Sequence, residues 1–249
     1  YGRNTIERVH PFLRQNNWRS RTLALAGNFN LTNVDELFDI LVDLGQHPKE
    51  KADTVTVLEK VGHFLDEEVE KAFRQFKNAG HENAEISGLI ADQLDVANVL
   101  RRASINWDGG YVMGGIIGSG DAFIARDPNG IRPCFWYEDE EVIVAASERP
   151  VIQTAFNAVT TNVKELQPGE ALIINRNGES QIADVREPGE RTPCSFERIY
   201  FSRGNDADIY RERGALGESL VPRVLEAIEH DLDSTVFSFI PNTAETSYY

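Results

Sequence analysis

Apolar positions along this chain keep a helical period in the first hundred residues and switch to a strand period after them. Thr22–Ala26 is a short apolar run that reads as a strand, and Gly27-Asn28-Phe29-Asn30 after it reads as a loop. Thr32 or Asn33 then caps a helix, with Asp35 and Glu36 in its first turn and Val34, Leu37, Phe38, Leu41 and Leu44 on one face. Gly45 supplies its stop. From about Lys51 to Asn78, residues Val57, Val61, Phe64, Leu65, Val69, Phe73 and Phe76 recur at helical spacing. A third helix is predicted over about Ala84 to Arg102, with Ile86, Leu89, Ile90, Leu94, Ala97 and Leu100 as its stripe.

After Trp107-Asp108-Gly109-Gly110 the runs shorten. Tyr111–Ile117, Ala122–Arg126, Cys134–Tyr137 and Val142–Ala146 read as strands between Gly, Pro and acidic turns. Glu148–Phe156 reads as a short helix. Val163–Leu166, Ala171–Asn175 and Gln181–Val185 are further strands, the last entered through an Asn177-Gly178 hairpin turn. Pro188–Pro193, rich in Pro, Gly and charge, reads as a domain boundary. Beyond it Ser195–Ser202 reads as a strand and Ile209–Glu229 as a helix. Thr235–Ile240 is nearly continuously apolar, as expected of a strand buried on both faces of a parallel sheet. Two domains are therefore predicted. Residues 1–190 mix long helices with short antiparallel strands, and residues 191–249 begin an α/β domain.

Composition narrows the partners. The chain has 249 residues, 41% hydrophobic and 26% charged, enough for a sizeable core. Its net charge of −15 argues against nucleic acid and acidic membrane surfaces, which are polyanions themselves. Two cysteines, Cys134 and Cys194, make no disulfide scaffold, so a reducing, cytoplasmic location is expected. No apolar run approaches membrane-spanning length. The chain opens on Tyr1-Gly2-Arg3-Asn4 and closes on Ser247-Tyr248-Tyr249, which reads as an internal piece of something longer.

Two residues stand out chemically. Hydrolysing a carboxamide drives negative charge onto its carbonyl oxygen, and a side-chain amide plus a backbone N–H aimed there stabilise it. Asn28, at a strand end, could give the first; its plainer reading is an Asx turn feeding the next helix. Asp53 reads as the cap of the helix that begins near it, a role that leaves a carboxylate lone pair free. His10, His47, His63, His81 and His230 make no Cys/His signature.

Arg126-Asp127-Pro128-Asn129-Gly130-Ile131-Arg132-Pro133, followed by Ser147-Glu148-Arg149-Pro150, resembles the glutamine amidotransferase half of amidophosphoribosyltransferases. Ala26–Asn33 is similar to the Ala-His-Asn-Gly-Asn-Leu-Thr-Asn loop of class II glutaminases, with Gly27 in place of His and Phe29 in place of Gly. The resemblance implies that Asn28 donates its side-chain amide, and Phe29 its backbone N–H, to the oxyanion. Asp53-Thr54 resembles a Ser-Asp-Thr-Glu segment whose Asp holds the α-ammonium of glutamine, with Val55 replacing Glu. Gly27 and Asp53 then line the substrate site. The family's N-terminal Cys nucleophile is not in this chain, and neither Cys134 nor Cys194 carries a free amine to replace it, so the piece is expected to lack glutaminase activity.

Cys194–Arg203 resembles the word joining the family's two domains, where the iron–sulfur branch places a cluster ligand; Cys194 is the candidate for a 4Fe-4S cluster. Phe237–Ala244 resembles the first strand and phosphate loop of the phosphoribosyltransferase domain, which makes Pro241, Asn242 and Thr243 candidate phosphate-binding residues. The resemblance implies a four-layer αββα N-terminal-nucleophile sandwich followed by a type I phosphoribosyltransferase fold. Its implied ligands are glutamine, phosphoribosyl diphosphate and Mg²⁺, and a homo-oligomer is expected. The implied reaction makes phosphoribosylamine, the first step of purine synthesis. The departures at Gly27, Phe29 and Val55 motivate an alternative, a non-catalytic relative that binds a metabolite in the same pocket.

Overall fold

The computed structural model describes residues 9–249. Strands are β1 (Phe12–Arg14), β2 (Leu23–Leu31), β3 (Gly109–Ile117), β4 (Ala122–Arg126), β5 (Phe135–Glu138), β6 (Ile143–Ala146), β7 (Lys164–Glu165), β8 (Glu170–Ile174) and β9 (Ser180–Asp184). Helices are α1 (Val34–Asp43), α2 (Asp53–Asn78), α3 (Asn83–Gln93), α4 (Val96–Ala103), α5 (Arg149–Phe156), α6 (Ala207–Ala227) and α7 (Glu245–Tyr248), with a π-helical turn at Glu197–Phe201. The chain divides into two compact units, residues 1–134 with 165–192, and residues 135–164 with 193–249.

The first unit is built on an antiparallel sheet in the order β1-β2-β3-β4-β8-β9. Strand residues alternate between its faces, so Leu23, Leu25 and Leu31 of β2 and Tyr111, Met113 and Ile117 of β3 enter one core. Val57, Val61, Leu65 and Val69 of α2, at helical spacing, enter the same core with Ile86, Ile90, Val96 and Leu100 of α3 and α4. The fold is mixed α/β, with this sheet carrying its helices on the core face.

The second unit holds the antiparallel β5–β6 pair, α5 and the C-terminal helices. Arg149 at the start of α5 donates to Asp208 at 3.0 Å, and Asp206 caps α6 by accepting from the Asp208 and Ile209 N–H groups.

Four predicted elements differ. The Gly27–Asn30 loop is strand: β2 runs on to Leu31 because β3 offers a continuous partner, with Asn28 opposite Val112 and Phe29 opposite Tyr111. The third helix is two, because Asp95 accepts from the Asn98 N–H at 2.8 Å and starts α4 afresh. Ser195–Ser202 is helical, not strand. Its aromatics stack on one another, Phe196 against Tyr200 and Phe201 with centroids 5.3 and 5.2 Å apart. The Ser202 N–H reaches back to the Glu197 carbonyl at 2.7 Å, the π-helical step. Thr235–Ile240 forms no strand; no described strand pairs with it, and Val236 and Ile240 are exposed.

Candidate functional site

Burial and hydrogen bonding concentrate at the Arg126–Pro133 turn. Asp127 is fully buried, and its carboxylate accepts four backbone N–H bonds, from Asn129 (3.0 Å), Ile131 (2.9 Å), Arg132 (3.0 Å) and Tyr111 (3.3 Å). Arg126, also buried, donates to the Arg132 carbonyl at 2.8 Å, to Glu165 at 2.9 Å, to the Gly130 carbonyl at 3.2 Å and to the Leu166 carbonyl. Gly130 takes a φ of 60°, which glycine adopts without the Cβ clash. Each charge is met by several partners, the condition under which buried charge is tolerated. The turn is thus an anchor, and through the Tyr111 N–H it fixes the end of β3 that pairs with Phe29.

Strand β2 presents a different situation. The Thr32 N–H donates to the Asp108 carbonyl at 2.8 Å, and the Thr22 carbonyl accepts from the Gly118 N–H at 2.9 Å. In an antiparallel strand the backbone groups of alternate residues point to opposite neighbours. Even-numbered residues of β2 therefore face β3, and odd-numbered ones face β1. The β1 pairing stops at Phe12 opposite Leu25. Beyond it the Gly27 N–H is taken by the His10 ring, donating to Nδ1 at 3.2 Å. The Phe29 N–H points to the same edge, where no described strand pairs with it. The strand conformation that replaces the predicted loop thus leaves the Phe29 donor outside the ladder.

Asn28 lies between these two residues, exposed, with its side chain leaving the face opposite the one on which Phe29 packs against the core. Gly27 has no room for a side chain: a Cβ there would run into the Val112 carbonyl and lie 2.8 Å from Met113 Cα. Its aromatic neighbours are already packed, His10 edge-on to Phe12 at 5.0 Å and to Phe29 at 5.8 Å. Sequence reasoning missed His10, because its contact with Gly27 spans 17 residues and depends on β1 pairing with β2.

Asp53 is the first residue of α2, which packs against β2. Ala52, extended at φ −138° and ψ 149°, holds the cap position, so Asp53 is not the cap. One carboxylate oxygen accepts the Thr54 N–H at 2.7 Å; the charge sits favourably at the helix N-terminus. Asn33 occupies the cap position of α1 without capping it. It donates instead to Glu36 at 3.1 Å and to the Asn106 carbonyl at 2.8 Å, and accepts from the Asp108 N–H at 3.3 Å. Lys60 of α2, 3% exposed, donates to the neighbouring Ile105 carbonyl. Burial pulls its ammonium pKa down to about 8; Arg186 adds to the fall and Glu36 opposes it.

The remaining candidates do not form a site together. Cys134 is buried, and burial pushes its thiol up to about 12, so it is a poor nucleophile. Cys194 is a half-buried free thiol. Among the described residues no group of three His, Cys, Asp or Glu side chains could hold a metal ion, so they do not on their own fit a 4Fe-4S cluster or a Mg²⁺ site. Pro241, Asn242 and Thr243 lie in the turn before α7, and the residues before them, Phe237–Ile240, line a largely apolar cavity of about 760 Å³. No helix of the described residues is long and apolar enough to cross a membrane.

Comparison with known proteins accounts for the pattern. The family model for class-II glutamine amidotransferases matches residues 91–188, a span that includes β3 and the Arg126–Pro133 turn. An amidophosphoribosyltransferase of Archaeoglobus fulgidus is 26% identical over 251 residues, covering 99% of this chain and 46% of that protein. That of Bacillus subtilis is 30% identical over 243 residues, covering 93% and 42%. Among solved structures, glutamine phosphoribosylpyrophosphate amidotransferase from B. subtilis, complexed with ADP and GMP, aligns with a TM-score of 0.64 at 24% identity, covering 98% of this chain and 46% of that one. A structure described as the allosteric regulatory enzyme of purine biosynthesis aligns at 0.63 with 25% identity, covering 97% and 44%. The chain spans about half the length of the curated relatives it matches over most of its own length. Words in the same order, a matching family segment and a similar fold agree: the chain is similar over nearly its whole length to amidophosphoribosyltransferases and carries a segment of the class-II glutamine amidotransferases.

Proposed function

We propose that this chain forms the glutaminase domain, over residues 1–190, and the start of the phosphoribosyltransferase domain, over 191–249, of an enzyme that moves the amide nitrogen of glutamine onto phosphoribosyl diphosphate. The balanced reaction is glutamine, phosphoribosyl diphosphate and water to phosphoribosylamine, glutamate and diphosphate. The six-stranded sheet is then one layer of an αββα N-terminal-nucleophile sandwich. The observation that carries the reading is the edge of β2 beyond the last β1 pair, where no described strand pairs with the Phe29 N–H and the exposed Asn28 is its neighbour.

In this reading the Asn28 amide and the Phe29 N–H receive the oxygen that gains charge as the carboxamide is attacked. Asp53, half-buried at a helix start, holds the substrate ammonium with the oxygen that Thr54 does not use. Cys134 is not the nucleophile in this reading, since it is buried and its thiol is held protonated at neutral pH. The test is phosphoribosyl-diphosphate-dependent glutamate release by the full-length protein. Asn28→Ala is expected to lower it about 10²–10³-fold while leaving synthesis from free ammonia intact. No release by the wild-type protein rejects the reading.

A second reading rests on Gly27, whose close approach to Val112 leaves the pocket without the side chain the resemblance places there. There the site binds glutamine or glutamate without turning it over. Calorimetric binding of glutamine with no glutamate release supports it; normal turnover removes it.

A further inference from the structure

His10 has no counterpart in the readings above, yet it touches the residue on each side of Asn28. Its Nδ1 accepts the Gly27 N–H at 3.2 Å, and its ring packs edge-on against Phe29 at 5.8 Å. Phe12 supports the ring from below at 5.0 Å with an interplanar angle of 88°. The position follows from topology. β1 ends at Phe12, so the next outward-facing donor of β2, the Gly27 N–H, would be left on a bare sheet edge. His10, in the bend that leads into β1, supplies an acceptor from its side chain where the backbone pairing has stopped.

Two consequences follow. Gly27 cannot be steadied by a side chain of its own, because a Cβ would collide with the β3 backbone. The edge is therefore held at Gly27 by the imidazole, and the Phe29 N–H, two residues on and pointing the same way, is a donor with which no described strand pairs. A donor worth several kcal/mol to a developing oxyanion has that value only when it is already oriented.

We propose that His10 is a positioning residue for the oxyanion site. It fixes the Gly27–Phe29 backbone so that the Asn28 amide and the Phe29 N–H are aimed before substrate binds. This rests on the glutaminase reading of the same strand. His10 acts through Gly27 and Phe29 and makes no contact with substrate in this assignment.

The test uses the full-length enzyme and two variants. His10→Phe keeps a ring against Phe12 and Phe29 and removes the acceptor. His10→Asn places an amide oxygen close to where Nδ1 sits. The expected result is a fall in glutamine-dependent kcat of about tenfold or more for His10→Phe, with KM for glutamine changed less than about twofold, because an oriented oxyanion donor acts on the transition state. His10→Asn is expected to recover most of that kcat, and synthesis from free ammonia is unchanged in both. Equal losses in the two variants, a rise in KM with kcat intact, or a His10→Phe enzyme as fast as wild type each overturn the assignment. Wild-type enzyme that releases no glutamate is a separate result, which removes the glutaminase reading and this assignment with it.

Discussion

The Arg126–Pro133 turn and the Gly27–Asn33 stretch flank the same strand, β3, and are held in opposite ways. In the turn, a buried carboxylate and a buried guanidinium are surrounded by backbone partners, and the polar groups are spent on each other. Along β2 past His10, the side chain of Asn28 is exposed and the Phe29 N–H lies outside the ladder. The turn lies within the span that the class-II glutamine amidotransferase model matches, yet its chemistry is internal. The edge departs from the family pattern, and its groups face outward. Motif strength here reports how tightly a segment is constrained by folding, and chemistry has to be sought where side chains and donors face outward.

The sharpest way to break this comparison is to remove the anchor. Asp127→Ala strands several buried N–H groups at once and is expected to cost about 3–5 kcal/mol of folding free energy. Urea denaturation measures it, and a cost below about 1 kcal/mol would show that the turn is not an anchor.

Lys60 tests the connection between helix α2 and the 105–108 turn that Asn33 also holds. Its pKa falls from the unfolded value to about 8 in the fold. Below pH 8 the ammonium is protonated in both states, and the burial penalty is fully present. Between pH 8 and about 10.4 the unfolded chain binds more protons, so stability rises with pH, by up to about 3 kcal/mol. Lys60→Met is expected to flatten that rise in a series of denaturation curves; an equal rise in the variant rejects Lys60 as its source.

The smallest effect is expected at the edge. Gly27→Ala forces the β2 and β3 backbones apart and is expected to cost about 1–3 kcal/mol. Thermal melts of the wild type and variant check it. A neutral substitution would mean that the strands can part at this point, and the edge would then be softer than its contacts with Val112 and Met113 indicate.

Much of the first unit was legible in the sequence. The predicted 51–78 helix is α2 from Asp53 to Asn78, and Ala122–Arg126 is β4 to the residue. In both, the stabilising pattern is local: helical spacing facing a core in one, a short apolar run bounded by turns in the other. Gly27–Asn30 reads as a loop because Gly and Asn are weak strand formers. What overrides them is a partner strand about eighty residues away in sequence, which no local rule sees. Asp95 hides within a stripe that continues on both sides of it, so periodicity joined α3 to α4. Phe196–Phe201 has the composition of a strand, but stacking between its own rings favours a tight turn. Of the proposed site, Asn28 and Asp53 are named by residue type and resemblance. His10 is not, since it acquires meaning only once the end of β1 is known.

The bond from the Tyr111 N–H to the Asp127 carboxylate has reach beyond the turn. Tyr111 stands opposite Phe29, so whatever pins Tyr111 decides which amides of β2 look outward. A slip of one residue would exchange odd for even, turn Asn28 toward the core and hide the donor it accompanies. In the proposed glutaminase reading, ligand affinity would depend on a carboxylate that is fully buried. On that reading, substitutions that weaken binding are to be sought among Asp127 and its backbone partners as much as at Asn28 and Phe29.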